Sequence, residues 1–208
     1  AACALLGRSR LTCYRAGFGG YRVSAGNAAH SEALDLALRR GINLVDTSAN
    51  YADGQSEVLV GQVLAARIDD GELAREAVIV VTKAGYLQGQ NYALSQARRQ
   101  LGRPFPDLVT YAEGLEHCIH PEFLEDQITR SLARLDLEAI DVLLLHNPEY
   151  YLSWAVKQGA APDEARETYY GRIQQAFAYL EKEVARGRIR FYGISSNTFP
   201  ETAGRTDF

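Results

Sequence analysis

Four residues of this chain have the side-chain chemistry of a proton-transfer site, and three of them stand where apolar runs stop. Asn43-Leu44-Val45 ends on Asp46, Val78-Ile79-Val80-Val81-Thr82 on Lys83, and Val142-Leu143-Leu144-Leu145 on His146. Tyr51 follows Asp46 across the loop Thr47-Ser48-Ala49-Asn50. Charge at the edge of a core needs partners or loses its ionised form, so strands seldom end this way without a use for it. A phenol beside an ammonium is biased toward phenolate and gives up its proton more readily. A carboxylate keeps the ammonium charged and aimed, and an imidazole orients or relays. Together they make a general acid–base set.

The elements that must bring these residues together follow from periodicity. Short β-branched runs alternate with segments of helical period, which predicts βα units and a parallel sheet. Strands are expected near 16–18, 42–46, 78–83, 140–146 and 189–194. Helices are expected around Ala33–Leu38 with Gly41 just past the end, over 56–66, from Pro121 through Leu135, and from Pro162 to a stop at Gly187. Leu5 to Thr12 reads as a hairpin outside the parallel sheet, a plug or lid. Two insertions interrupt the rhythm. Residues 84–120 show no sustained period and read as a long loop. Residues 147–161 read as a loop carrying Tyr150, Tyr151 and Trp154. Both follow the C-terminal ends of strands, on the side of the charged residues.

Composition narrows the class. The 208 residues, 47% hydrophobic and 23% charged, suit one soluble globular domain spanning 1–208. A formal net charge of −4 with mixed signs gives no nucleic-acid footprint. No apolar run approaches the roughly 20 residues of a membrane span. Cys3, Cys13 and Cys118 do not make a disulfide framework, and reduced thiols suggest a cytoplasmic protein. Methionine is absent even from position 1, which suggests a portion of a longer protein.

Five segments in order resemble the aldo-keto reductases. They are Gly17-Phe18-Gly19-Gly20-Tyr21-Arg22; Gly41-Ile42-Asn43-Leu44-Val45-Asp46-Thr47-Ser48-Ala49-Asn50-Tyr51 with Ser56-Glu57; Val80-Val81-Thr82-Lys83; Leu144-Leu145-His146-Asn147-Pro148; and Gly187-Arg188-Ile189-Arg190-Phe191-Tyr192-Gly193-Ile194-Ser195-Ser196-Asn197. The resemblance implies a (β/α)8 TIM barrel of which this chain holds about the first five βα units. It implies NADPH, with NADH an alternative, and a catalytic tetrad of Asp46, Tyr51, Lys83 and His146. Gly19, Gly20, Asp46, Ser195, Ser196 and Asn197 are then expected at the cofactor, and Tyr21, Tyr51 and His146 at the substrate. Which of the two serines meets the carboxamide stays open. Hydride delivery to a carbonyl builds charge on oxygen, and Tyr51 is the expected acid in reduction and base in oxidation. The expected activity is interconversion of aldehydes or ketones, sugars among them, with alcohols. The expected partner is a small carbonyl or sugar molecule, with no nucleic acid and no membrane, and the oligomeric state stays open.

Each residue has a plainer reading. Asp46 in Asp-Thr-Ser suits a turn cap, Tyr51 is one of twelve tyrosines, Lys83 suits a surface strand end, and His146 a satisfied polar group. Gly17 to Arg22 lacks the glycine spacing of a dinucleotide fingerprint and reads as close backbone approach. Two other functions fit less well: a cofactor-binding regulatory subunit of weak activity, and a metal-dependent hydrolase using Asp46, His117, His120 and His146.

Overall fold

Residues 2–198 are described by a computed structural model. The chain opens with an antiparallel hairpin, β1 (Cys3–Leu5) and β2 (Thr12–Tyr14), in which Leu5 pairs with Thr12. Strand β3 (Phe18–Gly19), helix α1 (Ala28–Arg39), β4 (Leu44–Asp46), α2 (Gln55–Asp69) and β5 (Ile79–Ala84) follow. The chain continues through β6 (Tyr86–Leu87), α3 (Gly89–Gln100), β7 (Val109–Ala112), β8 (Leu115–His117) and α4 (Pro121–Leu135). It ends with β9 (Ile140–His146), α5 (Tyr150–Lys157), α6 (Pro162–Ala185) and β10 (Ile189–Ser195).

Five strands form one parallel sheet in the order β10-β9-β5-β4-β3. Consecutive parallel neighbours joined by helices are the arrangement the βα alternation calls for. Along each strand alternate residues face the helices. Val45, Val80, Leu143 and Leu145 join Leu59, Leu64, Leu124, Ile128 and Leu180 in the main core. The opposite face carries Leu44, Ile79, Val81, Val142 and Leu144, and Cys13 and Leu11 of the hairpin pack against it. Asn43 ties the hairpin down, its Oδ1 accepting from Tyr14 N at 2.8 Å and its Nδ2 donating to Thr12 O and Ala77 O. Asn43 precedes β4, so the hairpin plugs the N-terminal end of the sheet and leaves the other end clear.

Helix boundaries follow local chemistry. Asn27 caps α1 through its side chain, and Gly41 takes the left-handed φ of 86° just beyond it. Pro121 begins α4 behind a capping His120, and Pro162 begins α6. The buried polar residues join elements. Glu57 accepts from Thr82 Oγ1 at 2.5 Å and from Arg134 Nε at 2.6 Å, linking α2 to β5 and α4.

The two insertions are not loops. Residues 84–120 hold α3 and a small antiparallel sheet in the order β6-β8-β7. Helix α3 escapes periodicity because polar side chains anchor it. Asn91 and Gln127 exchange amide hydrogen bonds, and buried Glu116 accepts from Ser95, Gln96 and Arg99. Helix α5 escapes because its eight residues are too short for a helical period to stand out from the aromatic run Tyr150-Tyr151-Leu152 and Trp154.

Candidate active site

Parallel pairing sets Asp46 level with Val81, Lys83 level with Leu144, and His146 level with Ser195. With a two-residue period this puts Asp46, Lys83 and His146 on one face, each a step further toward the C-terminal edge, with Ser195 level with His146. Tyr51 arrives from the following turn, Tyr51–Gly54, in which Ala52 and Asp53 have φ of 48° and 54°. The four residues of the expected tetrad therefore meet.

The lysine is the hub. Its Nζ donates to Asp46 Oδ2 at 2.7 Å, Thr47 O at 2.9 Å and Tyr51 Oη at 3.2 Å. An ammonium has three hydrogens, and all three are committed. Lys83 is buried while the Asp46 side chain is 43% exposed, so the carboxylate stays hydrated and still neutralises the ammonium. Tyr51 Oη accepts from Lys83, which leaves its own hydrogen free to point outward. The Tyr51 ring is held edge-on by Tyr21 at 5.2 Å and His146 at 5.9 Å between centroids.

His146 is buried, and its Nδ1 lies 3.1 Å from Ser48 Oγ. Burial first, then the Lys83 ammonium and His117, push its pKa down to about 3. The imidazole is therefore neutral near neutral pH. The Tyr86 ring stands perpendicular to it, 4.7 Å away. Tyr86 accepts from Asn147 Nδ2 at 2.6 Å, and burial with donation to Tyr150 raises its phenol well above the ordinary range.

These groups open into a cavity of about 600 Å³, within the range of small-molecule sites. Tyr21, Tyr51, Tyr86 and Tyr150 give it aromatic walls, and Asn50, Gln88, Asn147 and Asn197 give it amides. Among the described residues no Asp, Glu, Lys or Arg lines it. Tyr86, Gln88 and Leu115 come from the first insertion and Tyr150 from the second, so both insertions build the pocket. Sequence reasoning misses Tyr86, Gln88 and Asn147 as wall residues, since their one signal is a place just after a strand-end Lys or His. Tyr151 and Trp154 belong instead to a separate cluster with Tyr169.

The remaining expectations fall as follows. Gly19 has open space over it, whereas a Cβ on Gly20 would lie 2.6 Å from Ser56 Oγ and 3.0 Å from Asp46 O. Gly20 is thus required by the packing of this chain itself. Ser196 Oγ donates to Glu149 Oε1 at 2.6 Å and accepts from Thr198 N at 3.1 Å. Asn147 Oδ1 is buried with no partner among the described residues. A nicotinamide carboxamide, an acceptor with two donor hydrogens, complements Asn147 and Asn197 at this edge. The histidines of the hydrolase reading do not converge. His117 Nε2 donates to His146 O at 2.7 Å, His120 Nδ1 accepts from Glu122 N, and the described residues contain no cluster suited to a metal ion. Among those residues no helix is long and apolar enough to cross a membrane.

Comparison with known proteins agrees with this architecture. The family model described as "Aldo/keto reductase family" matches residues 16–204. An NADH-specific methylglyoxal reductase of Escherichia coli (strain K12) is 28% identical over 199 residues, covering 92% of this chain and 51% of that protein. A 6-dehydroglucose reductase of Novosphingobium aromaticivorans is 26% identical over 212 residues, covering 98% and 54%. Among solved structures, an aldo-keto reductase from Bacillus halodurans in its holo form superposes with a TM-score of 0.65 at 24% identity, over 99% of this chain and 55% of that one. The chain spans about half the length of the curated relatives it matches. With the family model covering most of its length, the chain belongs to the aldo/keto reductases.

Proposed function

We propose that this chain is part of an NAD(P)H-dependent oxidoreductase that interconverts aldehydes or ketones, sugars included, with alcohols. The observation that carries the reading is the shared lysine: Lys83 Nζ holds Asp46 Oδ2 at 2.7 Å and Tyr51 Oη at 3.2 Å beside the cavity. A bound nicotinamide cofactor would supply hydride for the carbonyl carbon. Tyr51 gives its outward proton to the carbonyl oxygen as negative charge develops there, and becomes a phenolate facing the Lys83 ammonium. Asp46 balances that ammonium and keeps it aimed. His146 stays neutral and orients the substrate against Tyr51. In the reverse direction Tyr51 takes the alcohol proton.

Ser195 and Asn197 are the residues proposed to hold the carboxamide, with Asn147 beside them. Ser195 shares the face of His146, while Ser196 is engaged by Glu149 and shapes the turn. Gly19, Gly20 and Asp46 would lie along the cofactor edge, and Tyr21 and Tyr51 along the substrate. The parallel sheet is proposed as part of a (β/α)8 barrel, and the protein as a cytoplasmic enzyme. Relatives named as an NADH-specific reductase and an NAD(P)H-dependent xylose reductase support testing both cofactors.

The test is cofactor oxidation by the protein at its full gene length, with NADPH and NADH, against an aromatic aldehyde, an aldose and a ketone. Turnover that falls by about 100-fold or more in Tyr51→Phe, with cofactor binding retained, is the expected result. Tight cofactor binding without turnover on any carbonyl would select the regulatory reading instead.

A further inference from the structure

The segments that follow β9 and β10 are tied together past the ends of those strands. Asn147 N donates to Ser195 O at 2.7 Å. Two residues further on, Glu149 Oε1 lies 2.6 Å from Ser196 Oγ, and Thr198 N lies 3.1 Å from the same hydroxyl. A carboxylate only accepts and a backbone N–H only donates, so the bonds run one way, from Thr198 to Ser196 to Glu149. Thr198 Oγ1 also stands 3.1 Å from Ser196 Oγ, but the carboxylate is the nearer and stronger acceptor and keeps the hydrogen. Glu149 Oε2 is buried without a partner, which leaves Ser196 as the one donor to this carboxylate among the described residues.

The position of this contact gives it a use. Strand β10 ends at Ser195, and 196–198 belong to neither strand nor helix, so individual bonds set their conformation. Ser195 is level with His146, and Asn197 lines the cavity. Glu149 stands at the entrance to α5 and does not line the cavity itself. We propose that Glu149 is a positioning residue for the nicotinamide: through Ser196 it holds the turn after β10 in the conformation that presents Ser195 and Asn197 to the carboxamide. The proposal rests on the reading of Ser195 and Asn197 as the partners of that carboxamide. A segment left free to move must be ordered when the ligand binds, and that ordering lowers affinity. The bond to Glu149 orders the turn beforehand, and it also takes the Ser196 hydrogen, so the hydroxyl left to donate is that of Ser195. Among the described residues Glu149 makes no hydrogen bond to Asp46, Tyr51, Lys83 or His146, so its effect falls on cofactor binding and leaves proton transfer alone.

The test is calorimetric binding to the protein at its full gene length. The ligands are NADPH and NADH, and, as controls, ADP-ribose and its 2′-phosphate, which keep the dinucleotide frame without nicotinamide. Glu149→Ala is expected to raise the Kd of the tighter nicotinamide cofactor about tenfold and to leave that of the matching fragment within about twofold. Ser196→Ala should do the same, and the double variant should be no worse than either, because both substitutions remove one bond. Glu149→Gln keeps an acceptor for Ser196 and should keep the affinity. In turnover with an aromatic aldehyde, KM for the cofactor should rise in Glu149→Ala while kcat at saturating cofactor does not fall.

Equal weakening of cofactor and fragment overturns the proposal, since it reports a general loosening of the fold. Losses that add in the double variant, or a Glu149→Gln protein as weak as Glu149→Ala, overturn it as well. Unsubstituted protein that binds cofactor, with an unchanged Kd in both alanine variants, defeats the role of Glu149 alone. Unsubstituted protein that binds neither NADPH nor NADH defeats the reductase reading, and the positioning role with it.

Discussion

Asp53 Oδ1 accepts a hydrogen bond from the backbone N–H of Gln90 at 3.0 Å, and Gln90 Nε2 returns one to Asp53 O at 3.1 Å. The exchange latches the turn after Tyr51 to the first turn of α3. That turn holds two successive non-glycine residues in the left-handed region, a conformation that persists only when its surroundings enforce it. Asp53→Ala removes the side-chain half of the latch. It is expected to cost about 1 kcal/mol in urea unfolding and to lower kcat more than it raises KM for cofactor. Asp53→Asn keeps an acceptor and should restore both. An unchanged kcat in Asp53→Ala would mean that the turn holds Tyr51 without α3.

Lys83→Met separates the catalytic from the structural use of the lysine. Loss of one partner is severe when it strands a buried charge, but Asp46 is 43% exposed and water can replace the ammonium. The melting temperature should therefore move by only a few degrees. Turnover should fall by about 100-fold or more, because Tyr51 loses the cation that stabilises its phenolate. Comparable losses in melting temperature and in activity per folded molecule would contradict this division.

His117 makes the protein sensitive to acid. Complete burial lowers its pKa to about 4, with the His146 carbonyl opposing that shift through a hydrogen bond. The folded-state value lies below the unfolded one of about 6.5, so between these values the unfolded chain binds a proton that the folded chain does not. Stability is fully present above the upper value and falls as pH drops through the window, by about 3 kcal/mol from this one group. His117→Gln keeps a donor for the His146 carbonyl but does not titrate. Urea midpoints measured from neutral to acid pH should show a shallower decline in this variant, with the share from His146 remaining. Identical slopes would assign the acid sensitivity elsewhere.

Gly61 sits where α2 meets α4. A Cβ there would lie 2.6 Å from Leu135 O and 2.7 Å from Arg134 O, both backbone atoms that cannot turn aside. Gly61→Ala gains helix propensity but must push the helices apart. We expect a net loss of about 1–3 kcal/mol in thermal or urea unfolding. A stabilised variant would show that the two helices can separate at no cost.

Much of the site is legible in the chain itself because its residues sit at strand ends, and strand ends are marked by apolar runs of strong β propensity. Asp46, Lys83 and His146 align from their order along the chain alone, since parallel strands joined by helices deliver their C-terminal residues to one edge. Helices α1, α2, α4 and α6 are legible because each buries an apolar stripe. Helix α3 is not, because Asn91, Ser95 and Arg99 fasten it through amide, hydroxyl and ion-pair contacts that leave no hydrophobic period.

What the sequence determined alone is the set of groups and their order along the chain: a phenol, an amine, an acid and an imidazole on successive βα units. Tertiary structure decided which of them touch and which hydrogens remain free. The three bonds of Lys83, the outward hydrogen of Tyr51 and the contact between Ser48 and His146 depend on distances of a few ångströms between residues that lie 32 to 98 positions apart. No local pattern encodes such distances, because they are set by strand register and by how the turn at 51–54 packs against the first insertion.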